Sequence, residues 1–425
     1  MKRDRVRPTG EPVYLLGGFQ TDFARNFTRE GKTLADLIQE TVQGALQATS
    51  VTADEIEVGH IGNFAAELFS GQGHLGGLLV EADPAFRGLP TSRHEAACAS
   101  GSVAALAAMA DIEAGRYDIA LVVGVELMRN GADAAKNLGA AAWVPRETEG
   151  VAYPWPSLFS QVGDEYEKRY GTLKREHLVT LAKSHFANAK RNPNAQTRKW
   201  EFGESAFDVD SPENPVVAGR INKLDCSQVT DGGAAVILVS ERFAKQWATR
   251  RDLTLLDVPR IAGWGHRTSR MALADKLEDS QGDGLLFPHV RTSITDAFAR
   301  AQIDDVRDVD LVECHDCFTT TAYMAIDHFG LTAPGESWKA IESGIVAFGG
   351  TLPFNPSGGL MGLGHPVGAS GVRMLLDASH QVAGTAGAMQ VKRARRAATL
   401  NIGGSATTSV CFIVERRTPL PSTIA

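Results

Sequence analysis

The sequence predicts an α/β protein in which two similar halves share a core, and three observations carry that expectation. Strand-like apolar runs alternate with helical patterns along the chain, an order that lays helices on the faces of a mostly parallel sheet. Two pieces recur: ASGSVAALAAMADIEAG from Ala99 matches ASGVRMLLDASHQVAG from Ala369, and TDGGAAVILVSER ending at Arg242 matches IGGSATTSVCFIVER ending at Arg416. The 425 residues include 43 glycines, which suits a large core with many tight turns and close backbone contacts.

In chain order, residues 12–19 read as the first strand. Residues 33–48 read as a helix, because Leu34, Leu37, Ile38, Val42 and Leu46 recur on one face. Residues 55–63 read as a second strand; residues 97–114 form an alanine-rich helix, and DIALVVGV, residues 118–125, is an apolar strand covered on both faces. The second half repeats the scheme with a helix at 290–302, a strand at 310–313, a helix at 369–382 and a strand at 409–415. Small residues in both repeated helices would let them pack closely in a shared centre between two sheets. Matching landmarks lie 133 positions apart in the first half, Ala99 to Gly232, and 34 in the second, Ala369 to Gly403, so the first half carries an insert. Three units are therefore expected: residues 1–125 with 226–262, an inserted lid or substrate-holding module at 126–225 with a charged helix near 164–170, and residues 263–425.

Composition removes several functions. A net charge of −7 leaves no footprint for nucleic acid. No stretch offers eighteen uninterrupted apolar residues, and MKRDRVRPTGEP has no apolar signal core behind it, so a cytoplasmic protein without a membrane span is expected. Five cysteines without framework spacing suit a reducing compartment.

Three segments concentrate reactive side chains. In HEAACASGS, Cys98 sits where a polar stretch enters the alanine-rich helix, a place where free N–H groups favour a thiolate. A buried structural cysteine is the plainer reading. NPSGGLMGLGHPVGASG, from Asn355, fails the dinucleotide fingerprint because no strand precedes its glycines; it instead presents His365 on a glycine-rich loop. VECHDCF places Cys314, His315, Asp316 and Cys317 together. A structural zinc site would want a second cysteine pair, and a thioredoxin-like pair would want a smaller domain. Together a helix-start cysteine, a loop histidine and a strand-end His-Asp-Cys supply what a Cys/His acyl-transfer centre needs.

With these motifs in view the whole chain resembles a thiolase, through EAACASGS, SQVTDGGAAV, GHPVGASG and NIGG. The resemblance implies a thiolase fold: duplicated βαβαβαββ halves in a five-layer αβαβα sandwich with an inserted loop domain. In the commoner thiolases a second catalytic cysteine stands two residues before the glycine that is Gly403 here, and this chain has Asn401 there. Sterol-carrier-protein-type thiolases carry HDCF where others have NEAF, and this chain reads HDCF at 315–318. By that resemblance Cys98 is the nucleophile, Cys317 the relocated acid/base, His315 the holder of a water or oxyanion partner, and Cys314 structural. Asp316 and Phe318 are scaffold. The Cys98 thiolate would be favoured by the helix start and by His365, and the N–H groups of Cys98 and Gly403 would form one oxyanion site. Ser227 stands where thiolases contact the CoA pantetheine, and Lys183, Lys190, Arg191 and Arg198 are candidates for the CoA phosphates.

The function implied is an acyl-CoA C-acyltransferase using CoA and acyl-CoA as substrates, with no resident cofactor and no metal. It would work as a homodimer or dimer of dimers, with an accessory acyl-CoA-associated protein as a further partner. Two alternatives stand beside it: a non-catalytic thiolase-like acyl-CoA-binding subunit, and another Claisen-condensing enzyme of the fold, against which Cys317 argues. The terminal PSTIA is not a peroxisomal tripeptide, and the expectation is of a thiolase portion without a fused sterol-carrier domain.

Overall fold

Runs such as IALVVGVE and TSVCFIVE are apolar at successive positions, and in the computed structural model both are strands with every residue buried. The structure describes residues 10–208 and 210–418; residues 1–9, residue 209 and residues 419–425, the terminal PSTIA among them, lie outside it. Its strands are β1 (Val13–Gln20), β2 (Val58–Gly62), β3 (Thr91–His94), β4 (Ile119–Glu126), β5 (Val216–Ala218), β6 (Ile221–Asn222), β7 (Gly232–Val239), β8 (Arg260–Thr268), β9 (Leu311–Cys314), β10 (Arg396–Gly403) and β11 (Thr408–Glu415). Nine of them hydrogen-bond in the order β3-β2-β4-β7-β1-β8-β11-β10-β9, while β5 and β6 form a separate hairpin.

The two halves of that order are the two halves of the chain, joined through β1 and β8 at Val13–Ile261 and Tyr14–Arg260. Alternation along the strands builds three cores. In β4, Leu121, Val123 and Val125 pack outward against the Leu34–Thr49 helix, while Ala120 and Val122 pack inward. In β11, Val410, Phe412 and Val414 pack inward, while Cys411 and Ile413 face the core under the Pro288–Ala301 helix. The inward core also holds Ala104, Ala105 and Ala108 of the first repeated helix (Ser100–Glu113) and Val372, Leu375 and Ala378 of the second (Ser370–Ala383). Five layers result, with the small-residue helices at the centre.

Two expectations change. The sheet is not mostly parallel: β2 with β3, β2 with β4 and β9 with β10 are parallel, whereas the five other pairings are antiparallel. The reason is that each half ends on a strand, β7 or β11, that returns against its neighbour. In the second half the third strand is reduced to a single parallel bridge, Val312 with Phe354. Between β4 and β7 the chain forms the helices Pro154–Tyr170 and Arg175–Ala189, the first opening on a proline well ahead of the charged stretch.

The centre is tight because it must be. A Cβ on Gly371 would lie 2.3 Å from Ser102 Oγ and 2.5 Å from Asn401 Oδ1, and one on Gly101 would lie 2.6 Å from Gly368 O. Those glycines let both helix starts meet, and with them the loops bearing Cys98 and His365.

Candidate active site

Cys98 sits on a turn, not in the helix, which begins at Ser100. Ala97 has φ +50°, a left-handed backbone that costs a non-glycine residue about 1 kcal/mol or more. Ser100 braces the turn, its Oγ accepting from Ala96 N at 2.9 Å and donating to Ala97 O at 2.6 Å. The Cys98 sulfur faces a cavity of about 360 Å³ that is also lined by Cys317, His365, Ser227, Cys226 and Gly404. Three reactive atoms converge: the Cys98 sulfur and one ring nitrogen each of His315 and His365 lie within 4.8 Å of one another.

Hydrogen bonds orient both rings. Ser370 Oγ lies 2.7 Å from His365 Nδ1 and 3.1 Å from Pro366 O. With the hydroxyl hydrogen given to Pro366 O, Nδ1–H donates to Ser370 and Nε2 is left as a base. Asn401 Nδ2 donates to His315 Nδ1 at 3.2 Å, and Ser102 Oγ donates to Asn401 Oδ1 at 2.8 Å. That chain places the His315 proton on Nε2, as a donor. The two rings meet edge to face with centroids 5.2 Å apart.

Burial sets the resting charges. It pushes the Cys98 thiol up to about 12, with a bond from the Gly404 N–H drawing it partly back. The thiolate expected from the helix start is therefore not the resting form: the turn's own carbonyls and Ser100 occupy its nearby N–H groups, and lost hydration outweighs the rest. Burial lowers His365 to about 3, and it holds His315 well below the usual imidazole range, helped by His365 and Arg373. A neutral thiol thus faces neutral imidazoles. Burial also raises the Cys317 thiol well above its ordinary value, and the neighbouring Cys98 adds to the effect.

The remaining positions sort plainly. Gly404 lines the cavity beside Cys98, and its N–H is the backbone group that draws the thiol down; Gly403 closes β10 where a Cβ would lie 2.1 Å from Ala96 O. Ser227 lines the cavity and its N–H donates to Cys317 O at 2.8 Å. Cys314 is buried away from the cavity, its N–H donating to Asn355 Oδ1 at 2.7 Å. Asp316 accepts from Leu360 N at 2.6 Å, tying HDCF to the glycine-rich loop, and its other oxygen lies 2.8 Å from His185 Nδ1 in the insert. None of the four basic candidates for the CoA phosphates lines the cavity; Arg198 is held by Asp22 at 2.7 Å through both nitrogens, and Lys190 by Glu201. Three contributors escaped the sequence reading as functional groups: Asn401, Ser370, and Thr230, whose Oγ1 accepts from His365 N at 2.9 Å. Each lies inside a motif already singled out, but only the fold shows which ring it touches.

A cysteine and two histidines at the meeting of duplicated, centrally packed helices define a Cys/His centre carried on the thiolase fold. The chain belongs to the thiolase family: the family models "Thiolase, N-terminal domain" and "Thiolase C-terminal domain-like" match residues 13–242 and 272–416. It is 31% identical to an acetyl-CoA acetyltransferase of Methanothermobacter thermautotrophicus, over 95% of this chain and 99% of that one. It is 25% identical to human sterol carrier protein 2, over 92% of this chain and 70% of the relative. Among solved structures it superposes on the Ltp2-ChsH2(DUF35) aldolase with a TM-score of 0.75 at 19% identity, covering 96% and 98% of the two chains. The human mitochondrial 3-ketoacyl-CoA thiolase gives a TM-score of 0.65 at 17% identity, covering 96% and 99%. Among the described residues no helix is long and apolar enough to cross a membrane.

Proposed function

We propose that the chain is an acyl-CoA C-acyltransferase, a 3-ketoacyl-CoA thiolase or acetyl-CoA acetyltransferase, working through an acyl-enzyme on Cys98. The observation that carries this reading is the convergence of Cys98, His315 and His365 within 4.8 Å at a cavity that Cys317 also lines. In the cleavage direction His365 takes the Cys98 proton as the sulfur attacks the 3-keto carbon of a 3-ketoacyl-CoA. The C2–C3 bond breaks, and the departing acetyl-CoA enolate takes a proton from Cys317, whose raised pKa keeps it a thiol for that purpose. CoA sulfur then attacks the Cys98 thioester and gives its proton to the Cys317 thiolate, while His365 returns its own to Cys98. Condensation runs the same exchanges backward. Oxygen charge would meet the His315 Nε2–H directly or through a water on one side, and the Gly404 N–H on the other; each such donor is worth about 3 kcal/mol.

Ser227, on the cavity wall, is the candidate for the pantetheine arm of CoA. Self-association and an accessory acyl-CoA-associated protein belong to the same reading, the latter because the Ltp2 structure is named as an assembly with ChsH2(DUF35). The test is thiolysis of acetoacetyl-CoA and longer 3-ketoacyl-CoA substrates by wild type, Cys98→Ala and Cys317→Ala, each with and without EDTA. Loss of turnover is expected for both variants, with the Cys317→Ala protein still acylated at residue 98 by acetyl-CoA, and no effect of EDTA. An inactive wild type across the panel would favour the non-catalytic subunit, and turnover by Cys98→Ala would exclude the acyl-enzyme.

A further inference from the structure

The turn that carries Gly404 is held from behind by a buried lysine. Gly404 and Ala406 take left-handed conformations, φ +63° and +62°, in the four residues between β10 and β11. Lys276, on the Leu273–Asp279 helix, is 2% exposed. Its Nζ donates to Ser405 Oγ at 2.8 Å, Thr407 Oγ1 at 2.9 Å and Met271 O at 2.9 Å. All three ammonium hydrogens are used, and two of them end on this turn. From the Pro288–Ala301 helix, His289 Nε2 lies 2.7 Å from Ala406 O and fixes the turn's other flank.

No carboxylate among the described residues comes within 4.0 Å of the ammonium. Glu147 and Asp275 are the acidic groups near enough to act on it, Asp275 being already paired with Arg146 and Arg270, and His289 is the adjacent base. Burying a cation on neutral oxygens alone is costly, and a hairpin needing only stability would be served by apolar packing. The ammonium does something a hydrocarbon cannot: it fixes two hydroxyls on either side of a left-handed residue, one position beyond Gly404, which lines the cavity beside Cys98.

We propose that Lys276 is a positioning residue for the Cys98 centre, its ammonium locking the Gly404–Thr407 turn so that the Gly404 N–H stays directed at the Cys98 sulfur and at a thioester oxygen bound there. The catalytic part of this inference rests on the reading of Cys98 as nucleophile. The experiment compares wild type with Lys276→Met, which keeps length and removes every donor. Two readouts are taken: the pH profile of Cys98 alkylation by iodoacetamide, recorded at and below pH 7, where Lys276, which burial lowers to about 7, still carries its proton, and followed by peptide mass spectrometry, and kcat and KM for acetoacetyl-CoA thiolysis. The variant is expected to alkylate at Cys98 only at higher pH, because the amide that lowers the thiol pKa is no longer held. Its kcat should fall about tenfold or more with KM within about twofold. A wild-type alkylation profile in a folded Lys276→Met protein overturns the proposal. Should that variant not fold, Thr407→Val and Ser405→Ala each remove one acceptor of the ammonium; a smaller shift in the same direction supports the proposal, and unchanged profiles in both overturn it. Alkylation needs no turnover, so an inactive wild type would count against the proposed activity while the profiles still decide the role of Lys276.

Discussion

At the scale of single residues the centre depends on which nitrogen holds each proton. Asn401 stands where the commoner thiolases place a second cysteine, and here its amide hydrogen fixes the His315 tautomer, with Ser102 fixing the amide. An Asn401→Asp substitution preserves shape and removes the donor. The carboxylate would draw the His315 proton to Nδ1, leaving Nε2 an acceptor where a donor is needed. A fall in kcat of about a hundredfold is expected, with KM changed by less than about threefold and the melting temperature nearly unmoved. Steady-state thiolysis beside a melting curve checks it, and retained kcat would remove His315 from the oxyanion site. Cys98, His315, Cys317 and His365 were legible as candidates because reactive residue types clustered in short motifs. The thiol's resting charge was not, because helix-start electrostatics can be read from sequence whereas the loss of hydration depends on everything that folds over it.

At the scale of elements, most boundaries followed from periodicity. The helix expected at 33–48 is Leu34–Thr49, capped by Thr33 accepting from Asp36 N, and the strand expected at 118–125 is β4, Ile119–Glu126. The helix expected from residue 97 starts later because Ala97, an excellent helix former by composition, is held left-handed in the turn that presents Cys98. Strand direction was the poorer inference: an alternating βα order suggests parallel pairing, and nothing local marks β7 and β11 as returning strands. The meeting of the two repeated helices is the element-level feature on which the site depends, and Gly371 tests it. An alanine there places a methyl 2.3 Å from Ser102 Oγ and 2.5 Å from Asn401 Oδ1, too near for either to stay. Overpacking of this kind costs about 1 to 3 kcal/mol. Gly371→Ala should lower the melting temperature by several degrees and cut kcat as well, since the displaced groups are those that orient His315. An unchanged melting temperature would show that the centre is slack enough to absorb a methyl group.

At the scale of the whole molecule, burial shifts so many titrations that the dependence of stability on pH can be argued by sign. Of the eleven histidines, seven have lowered pKa values, chiefly through burial: His60 and His289 to about 4, His365 to about 3, His315 well below the usual range, and His94, His266 and His380 downward. Unfolded, each would take a proton near the ordinary imidazole value of about 6.5. As pH falls below that, the unfolded chain binds protons that the native one refuses, so stability drops. Four acids oppose this: Glu126 and Glu313, raised to about 7, and Glu113 and Asp296, raised less far, take up protons first in the native state. They are outnumbered by the bases, so the net effect of acid is loss. On the alkaline side the sign reverses. All five cysteines have raised pKa values, and thiols that would ionise near pH 8.5 (roughly) in the unfolded chain stay protonated in the native one, so stability falls again above that value. Lys276, lowered to about 7, works in the other direction but is a single group. The melting temperature should therefore peak between about pH 7 and 8.5 and fall steadily toward pH 5, measured by differential scanning fluorimetry at fixed ionic strength. A curve that stays flat or rises on acidification from pH 7 to 5 would mean that the buried imidazoles take up protons without opening the structure, and the neutral resting state assigned to His365 and His315 would have to be given up.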